Sequence, residues 1–347
     1  MYQLGLCDEH IRLSKLSQLG DHLERLNSVI DWEIFRPILK KATKRSVKGP
    51  GGRPVLYDHV MLFKILILAR LYNLSDDQTE YQINDRRSFM RFLELGPGCK
   101  VPDAKTIWLF RDTLTKSGVI DELFSAFEHV LEEQHLITRN GSIVDATFVE
   151  APIQRNTPDE NKKIKEGRIP EEWQGNTSKQ RNKLRQKDVD ARFAIKGGKT
   201  FFGYKDHVKV DADSKLIVSA SVTPASVHDS QECIGLLDEK DNALYGDSAY
   251  SGSVISDQLP GHVRNEIHEK GYRNHQLTQE QKERNRKKSH VRARVEHVFG
   301  FMTNSMHGIT IRCIGKVRAE FAIGIMNLTY NLCRFETLVR CKSPLLG

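Results

Sequence analysis

The sequence predicts an α/β protein: an all-helical region over residues 1–135, then a mixed sheet flanked by helices over residues 136–347. Three observations lead there. Apolar residues recur at three- and four-residue steps through the first third of the chain, which is the helical period. After Arg139-Asn140-Gly141 the texture changes to short β-branched and aromatic runs bounded by turn residues. Strands then alternate with helices, and acidic residues stand at strand ends, as in α/β domains.

Taken in order, Leu16, Leu19, Leu23, Leu26 and Ile30 form one helical face, and Val60, Phe63, Leu66, Ile67 and Leu71 form another. Ser75 followed by Gln78 is a capping-box start. Phe89, Phe92 and Leu93 mark a short helix stopped at Gly96-Pro97-Gly98; Pro102-Asp103 opens the next, which stops at Gly118. Short helices with tight turns fit a helix-turn-helix DNA reader and fit a plain helical bundle equally. Ile143 to Val149 reads as a strand. Residues 155–200 are basic and polar, with few apolar anchors, so they read as an insertion or long mobile loop with some helix near Lys179 to Ala194. Phe201 to Val210 and Leu216 to Val222 are strands joined by the turn Asp211-Ala212-Asp213-Ser214, hence a hairpin. Cys233 to Leu237 reads as a short helix, Ala243 to Tyr245 as a strand, Val254 to Leu259 as a helix and Glu266-Ile267 as a strand. Residues 282–294 are a basic run leading straight into a helix around Glu296, and Val317 to Phe335 is the last helix.

Length allows two domains, and the 39 % hydrophobic content allows a sizeable core. Net charge is +8, which suits a polyanionic partner such as nucleic acid or an anionic membrane surface, and suits a generically basic protein too. Six scattered cysteines without a CxxC pair exclude zinc spacing and argue against a disulfide framework, so a reducing cytosol fits. Met1 to Asp8 lacks a signal pattern. Val60 to Tyr72, broken by Lys64 and Arg70, is far short of the ~20 residues that span a bilayer.

Three acids carry the chemistry. Asp145 ends the apolar run Ser142-Ile143-Val144, Asp247 follows Ala243-Leu244-Tyr245-Gly246, and Glu296 lies on a helix. Carboxylates brought together from rigid strand ends would form an oxygen cage for Mg2+ or Mn2+, and two such ions about 4 Å apart drive in-line phosphoryl displacement. Three acids among 45 are also compatible with ordinary strand-end residues. Small residues beside Asp247, in Gly246-Asp247-Ser248-Ala249, leave room for a phosphate backbone. On the Glu296 helix, Val291, Val295, Val298, Phe299 and Met302 form an apolar stripe that docks on a sheet, while Arg292, Glu296 and Thr303 form a polar stripe. That second stripe can place Glu296 on metal and Arg292 on phosphate; it can equally be an exposed i, i+4 pair.

With these motifs in order, the chain resembles bacterial insertion-sequence DDE transposases of the broad insertion-sequence-five family. The resemblance rests on Gly52-Arg53-Pro54, Ser88 to Leu93, Val101-Pro102-Asp103 and Phe110-Arg111, then on Val144 to Thr147, Gly203 to His207, Val222 to Ser230, Gly246 to Tyr250 and Arg292 to Gly300. It implies an RNase H-like core with Asp145, Asp247 and Glu296 as its metal-holding, catalytic triad. It implies binding to terminal inverted repeats, cleavage at the element ends, joining of 3′ ends to target DNA, a homodimer in the active complex and a cytoplasmic, nucleoid-associated location. Arg292 matches the signature arginine on the glutamate helix. Ser289 stands where a tyrosine is frequent, and Thr303 where a lysine is frequent; Lys287 or Lys288 can supply the charge.

Other motifs are weaker. Lys196-Gly197-Gly198-Lys199-Thr200 lacks the first glycine of a phosphate loop, since Phe193 stands there, and reads as a turn feeding a strand. Lys179 to Lys187 and Lys282 to Arg294, including Arg294, are candidate phosphate contacts or solvated loops. Trp173 fits local packing better than stacking on a flipped base. His228 is a candidate DNA contact; His207 and His297 read as structural. A nuclease of related fold that cuts without joining, and a non-catalytic DNA-binding protein derived from a transposase, are the competing readings.

Overall fold

A computed structural model describes residues 8–44, 57–96, 98–272 and 276–342. Gly52-Arg53-Pro54 and Pro97 lie outside these residues. Two compact units are present: Met1–Val130 with Leu328–Gly347, and Leu131–Asn327.

The first unit is helical: α1 (Asp8–Gln18), α2 (His22–Val29), α3 (Arg36–Ala42), α4 (His59–Leu71), α5 (Asp76–Asp85), α6 (Arg87–Phe92), α7 (Ala104–Ser117) and α8 (Ile120–Glu133). Caps account for several boundaries. Ser75 and Gln78 form the expected capping box on α5. Asp103 caps α7, and Gly118 ends it in the left-handed conformation. The expected single face from Leu16 to Ile30 is split in two, because Gly20 takes φ +83° and Asp21 starts α2 by accepting from the Leu23 amide. Leu23, Leu26 and Ile30 are buried, whereas Leu19 at the break is exposed.

The second unit is built on a six-stranded sheet: β1 (Ser142–Glu150), β2 (Arg192–Lys196), β3 (Lys199–Asp211), β4 (Ile217–Pro224), β5 (Ala243–Tyr245) and β6 (Arg264–Asn265). Its order is β2-β3-β1-β5-β6, with β4 also on β3. The β1–β3 and β3–β4 pairs are antiparallel, while β1–β5 and β5–β6 are parallel, so the sheet is mixed as expected. The expected hairpin around Asp211 to Ser214 is present. Gly197 and Gly198, at φ +57° and +79°, form a two-residue turn between β2 and β3, where Lys196 pairs with Lys199. Gly203 is demanded by a close approach: at φ +148° a Cβ there would lie 2.2 Å from the Val149 carbonyl oxygen.

Residues 155–200 are structured around a core of their own. They hold α9 (Pro158–Lys165) and α10 (Ser178–Arg185), each with a threonine capping box, and Trp173 is fully buried. The helix expected near Lys179 to Ala194 stops at Arg185, and Arg192–Lys196 is a strand because it pairs with β3. After β5 come α11 (Ser253–Gln258) and, beyond β6, α12 (Gln279–Arg292), α13 (Arg294–Asn304) and α14 (Lys316–Lys342). The basic run does not continue unbroken into the Glu296 helix: Ala293, at φ −54° and ψ −15°, separates α12 from α13.

Candidate active site

Register brings the two aspartates together. Strands β1 and β5 are parallel neighbours, with Ile143 opposite Tyr245. Asp145 and Asp247 each lie two residues beyond these partners; Asp145 is inside β1, which runs on to Glu150 instead of ending at the aspartate as the sequence suggested, whereas Asp247 lies past the end of β5. The apolar residues before them explain the rigidity: Ile143, Val144, Ala243 and Leu244 are buried.

Asp145 is held by two donors. Its Oδ1 accepts from the Ala146 amide at 2.8 Å, and its Oδ2 accepts from Arg292 Nη1 at 3.0 Å. Burial pushes its carboxyl above the usual range; the Ala146 amide and Arg292 pull it down, and the charge of Asp247 pushes it up again. Asp247 caps a 3-10 turn over Ser248–Tyr250, accepting from the Ala249 amide at 2.7 Å. At Gly246 a Cβ would meet the Tyr250 ring at 3.1 Å, so the glycine serves ring packing. Tyr250 is buried, and its hydroxyl has no hydrogen-bond partner among the described residues.

Glu296 reaches this place through Arg292. On α13, Val295, Val298 and Met302 are buried, whereas Glu296 is two-thirds exposed on the other side. Val291 and Phe299 of the expected stripe are only half-buried. Arg292, the last residue of α12, puts Nη2 3.6 Å from Glu296 Oε1 while Nη1 holds Asp145. The guanidinium therefore stands between two carboxylates, where the sequence placed it on phosphate. Among the described residues no three acids, histidines or cysteines are gathered closely enough to hold a metal ion. The donor set still has the right chemistry, being hard carboxylate oxygens.

The remaining predicted residues are placed as follows. Lys288 donates to the Ile267 carbonyl at 3.1 Å and lies 3.7 Å from Glu266, tying α12 to the chain after β6. Lys287 is exposed. Arg294 is taken up by the Ala212 carbonyl at 2.5 Å and Asp213 at 3.1 Å. His228 is exposed and caps the turn Asp229–Gln231. His207 is buried against Thr223 at 2.8 Å, whereas His297 is exposed. Ser289 contacts His268 Nε2 at 3.2 Å, and Thr303 is exposed.

Two contributors escaped sequence reasoning. Burial and Arg292 hold the His268 imidazole below its usual range, against the pull of Asp247, so it belongs to the same electrostatic neighbourhood. Lys205 donates to Asp229 and to the Val227 carbonyl, both at 2.7 Å, and so fixes the loop after β4. The only available signal for Lys205 was its place in the Gly203 to His207 motif; His268 had none.

Residues 137–332 match the family described as Transposase DDE domain, more than half of the chain. The chain belongs to the DDE transposase family. Residues 11–113 match a second family, Transposase domain (DUF772). No solved structure matches the chain. As a DDE transposase domain, the second unit has the RNase H-like fold, in agreement with its mixed sheet flanked by helices. No helix among the described residues is long and apolar enough to cross a membrane.

Proposed function

We propose that this transposase binds the terminal inverted repeats of an insertion sequence, cleaves at the element ends and joins the 3′ ends to target DNA. The observation that carries the reading is the matching offset of Asp145 and Asp247, each two residues beyond a paired residue of the parallel neighbours β1 and β5, with Arg292 linking Asp145 to Glu296. Asp145 and Asp247 are the residues to hold Mg2+ or Mn2+, with Glu296 completing the set. When bound, such ions activate an attacking hydroxyl and stabilise the leaving oxygen. Arg292 is placed to release the carboxylates and take a phosphate oxygen of the DNA, a bidentate partner that guanidinium suits. The helical unit, in this reading, binds the inverted repeats and pairs two copies.

The test uses oligonucleotides carrying the element ends. Asp145→Asn, Asp247→Asn and Glu296→Gln each abolish cleavage while electrophoretic shifts with the same DNA persist. Normal strand transfer by any one of them removes that residue from the triad. Pre-cut ends separate joining from hydrolysis: water-cleaved product with no joined product would replace this reading with a nuclease.

A further inference from the structure

Charge is unevenly spread along the chain. Residues 178–205 hold nine lysines and arginines against two aspartates, net +7; residues 282–294 hold seven against one glutamate, net +6. Against a whole-chain net charge of +8, the rest is acidic. The second stretch contains Arg292. Apart from Lys205, the first contributes nothing to the site described so far. Its two aspartates do not neutralise its lysines: Asp188 accepts from the Tyr204 hydroxyl at 2.9 Å and the Gly315 amide at 3.0 Å, and Asp190 accepts from the Lys316 amide at 3.0 Å.

The basic stretch ends in the β2–β3 hairpin, at the edge of the sheet. Phe201 of the hairpin stacks on Phe148 of β1, with centroids 4.3 Å apart and planes 8° from parallel. Three ammonium groups lie over this pair: Lys199 4.6 Å from the Phe201 ring, and Lys205 and Lys196 at 5.2 and 5.9 Å from the Phe148 ring. Lys196 has no acidic partner among the described residues; Lys199 meets Glu150 at 3.0 Å but is mostly exposed. Phe148 follows Asp145 by three residues, about 10 Å along the strand. Because β5 ends at Tyr245, β1 has no strand beside it on that edge, among the described residues, until Glu150 bridges Thr310. Residues 145–148 are accordingly half-buried, whereas 141–144 are buried. Asp145 and Phe148, three residues apart, point to opposite faces of β1, so a strand running from the acids to the cationic aromatic pair has to cross this edge.

We propose that Phe148, Phe201, Lys196 and Lys199 form a track for the unpaired DNA strand beside the scissile bond, phosphates on the lysines and a base against the phenylalanines. The track rests on the DNA-cleaving reading above and assigns that activity a surface of its own. Cations over aromatic rings at an exposed edge suit a polyanion with flat bases, and a phosphate competes with Glu150 for Lys199.

The experiment measures anisotropy of fluorescent DNA with the full chain in chelator, comparing a forked oligonucleotide that has an unpaired arm with a blunt duplex. Lys196→Ala/Lys199→Ala binds the forked DNA about tenfold more weakly, and its salt slope falls by about 1.4, two phosphate contacts at ~0.7 each. Phe201→Leu keeps the apolar bulk and weakens the forked DNA alone. Parental affinity and slope in the lysine variant overturn the track. Equal losses on both DNAs in Phe201→Leu overturn the stacked base. Intact DNA binding with altered oligomeric mass or aggregation overturns it too, giving the hairpin to a second copy or to protection of a sheet edge. If the parent binds forked DNA through these residues yet cuts no element end, the transposition reading fails and the track survives.

Discussion

Asp206 lies fully buried on β3, where Asn327 donates to its Oδ1 at 3.1 Å and its Oδ2 has no hydrogen-bond partner among the described residues. Burial pushes its carboxyl up to about 7. A raised carboxyl means that the folded chain holds a proton which the unfolded chain, with an ordinary carboxylate, has released. Stability therefore falls as pH rises from about 4 to about 7, and is level with respect to this group above that. Asp206→Asn keeps the shape and the acceptor for Asn327 but cannot ionise. Its melting temperature should drop less between pH 5 and pH 8 than that of the parent; parallel curves for the two proteins would show that Asp206 is not the titrating group. This residue had no signature in the sequence beyond membership of a motif, because burial is a property of what packs over β3. The same holds for Arg292. Its spacing to Glu296 was visible as i, i+4, but its bond to Asp145 spans 147 positions and exists only once β1 and α12 are folded together.

At the scale of elements, the segment between β1 and β2 departs most from its sequence. Few apolar residues suggested a mobile loop, yet α9 and α10 are organised around one side chain. Trp173 Nε1 donates to Glu160 Oε1 at 2.9 Å, and Lys183 donates to the same oxygen at 2.9 Å. Burial pushes the Glu160 carboxyl up, but Lys183, the Thr157 amide and Trp173 outweigh it and hold it down at about 2. Lys183 and Lys187 also cover the Trp173 ring, at 5.6 and 5.3 Å. One buried aromatic with a satisfied polar edge replaces the apolar stripe that a pattern search requires. Trp173→Ala should cost this segment about 3–5 kcal/mol. Hydrogen exchange of the α9 and α10 amides should then rise while the β1 and β3 amides stay protected. Unchanged protection in α9 and α10 would mean that something other than Trp173 holds them. Elements with strong local signals, such as the Ser75 box and the Gly118 stop, were legible because their causes lie within four residues.

For the whole molecule, the parallel pairing of β1 with β5 was the least legible feature and the most consequential. Each strand could be read from its own apolar run, but no local feature says that residues 142–143 lie beside 244–245. Motif order supplied that information indirectly, through the family resemblance. Long-range pairing also makes the acid site a property of the folded second unit, so a ligand held there stabilises the fold by mass action. If Asp145, Asp247 and Glu296 hold a divalent ion, MnCl2 or MgCl2 should raise the thermal transition of the second unit. At a hundredfold excess over its dissociation constant the gain is about 2.7 kcal/mol. Arg292 opposes it, because its bonds to Asp145 and Glu296 must open first; Arg292→Gln should therefore reach the same rise at lower ion concentration. Asp145→Asn should abolish the rise while keeping the fold, since Asn retains an oxygen for the Ala146 amide. Calorimetry with and without a chelator reads all three proteins. An equal metal-dependent shift in Asp145→Asn would place the ion elsewhere and leave the two aspartates without the role that their shared register gives them.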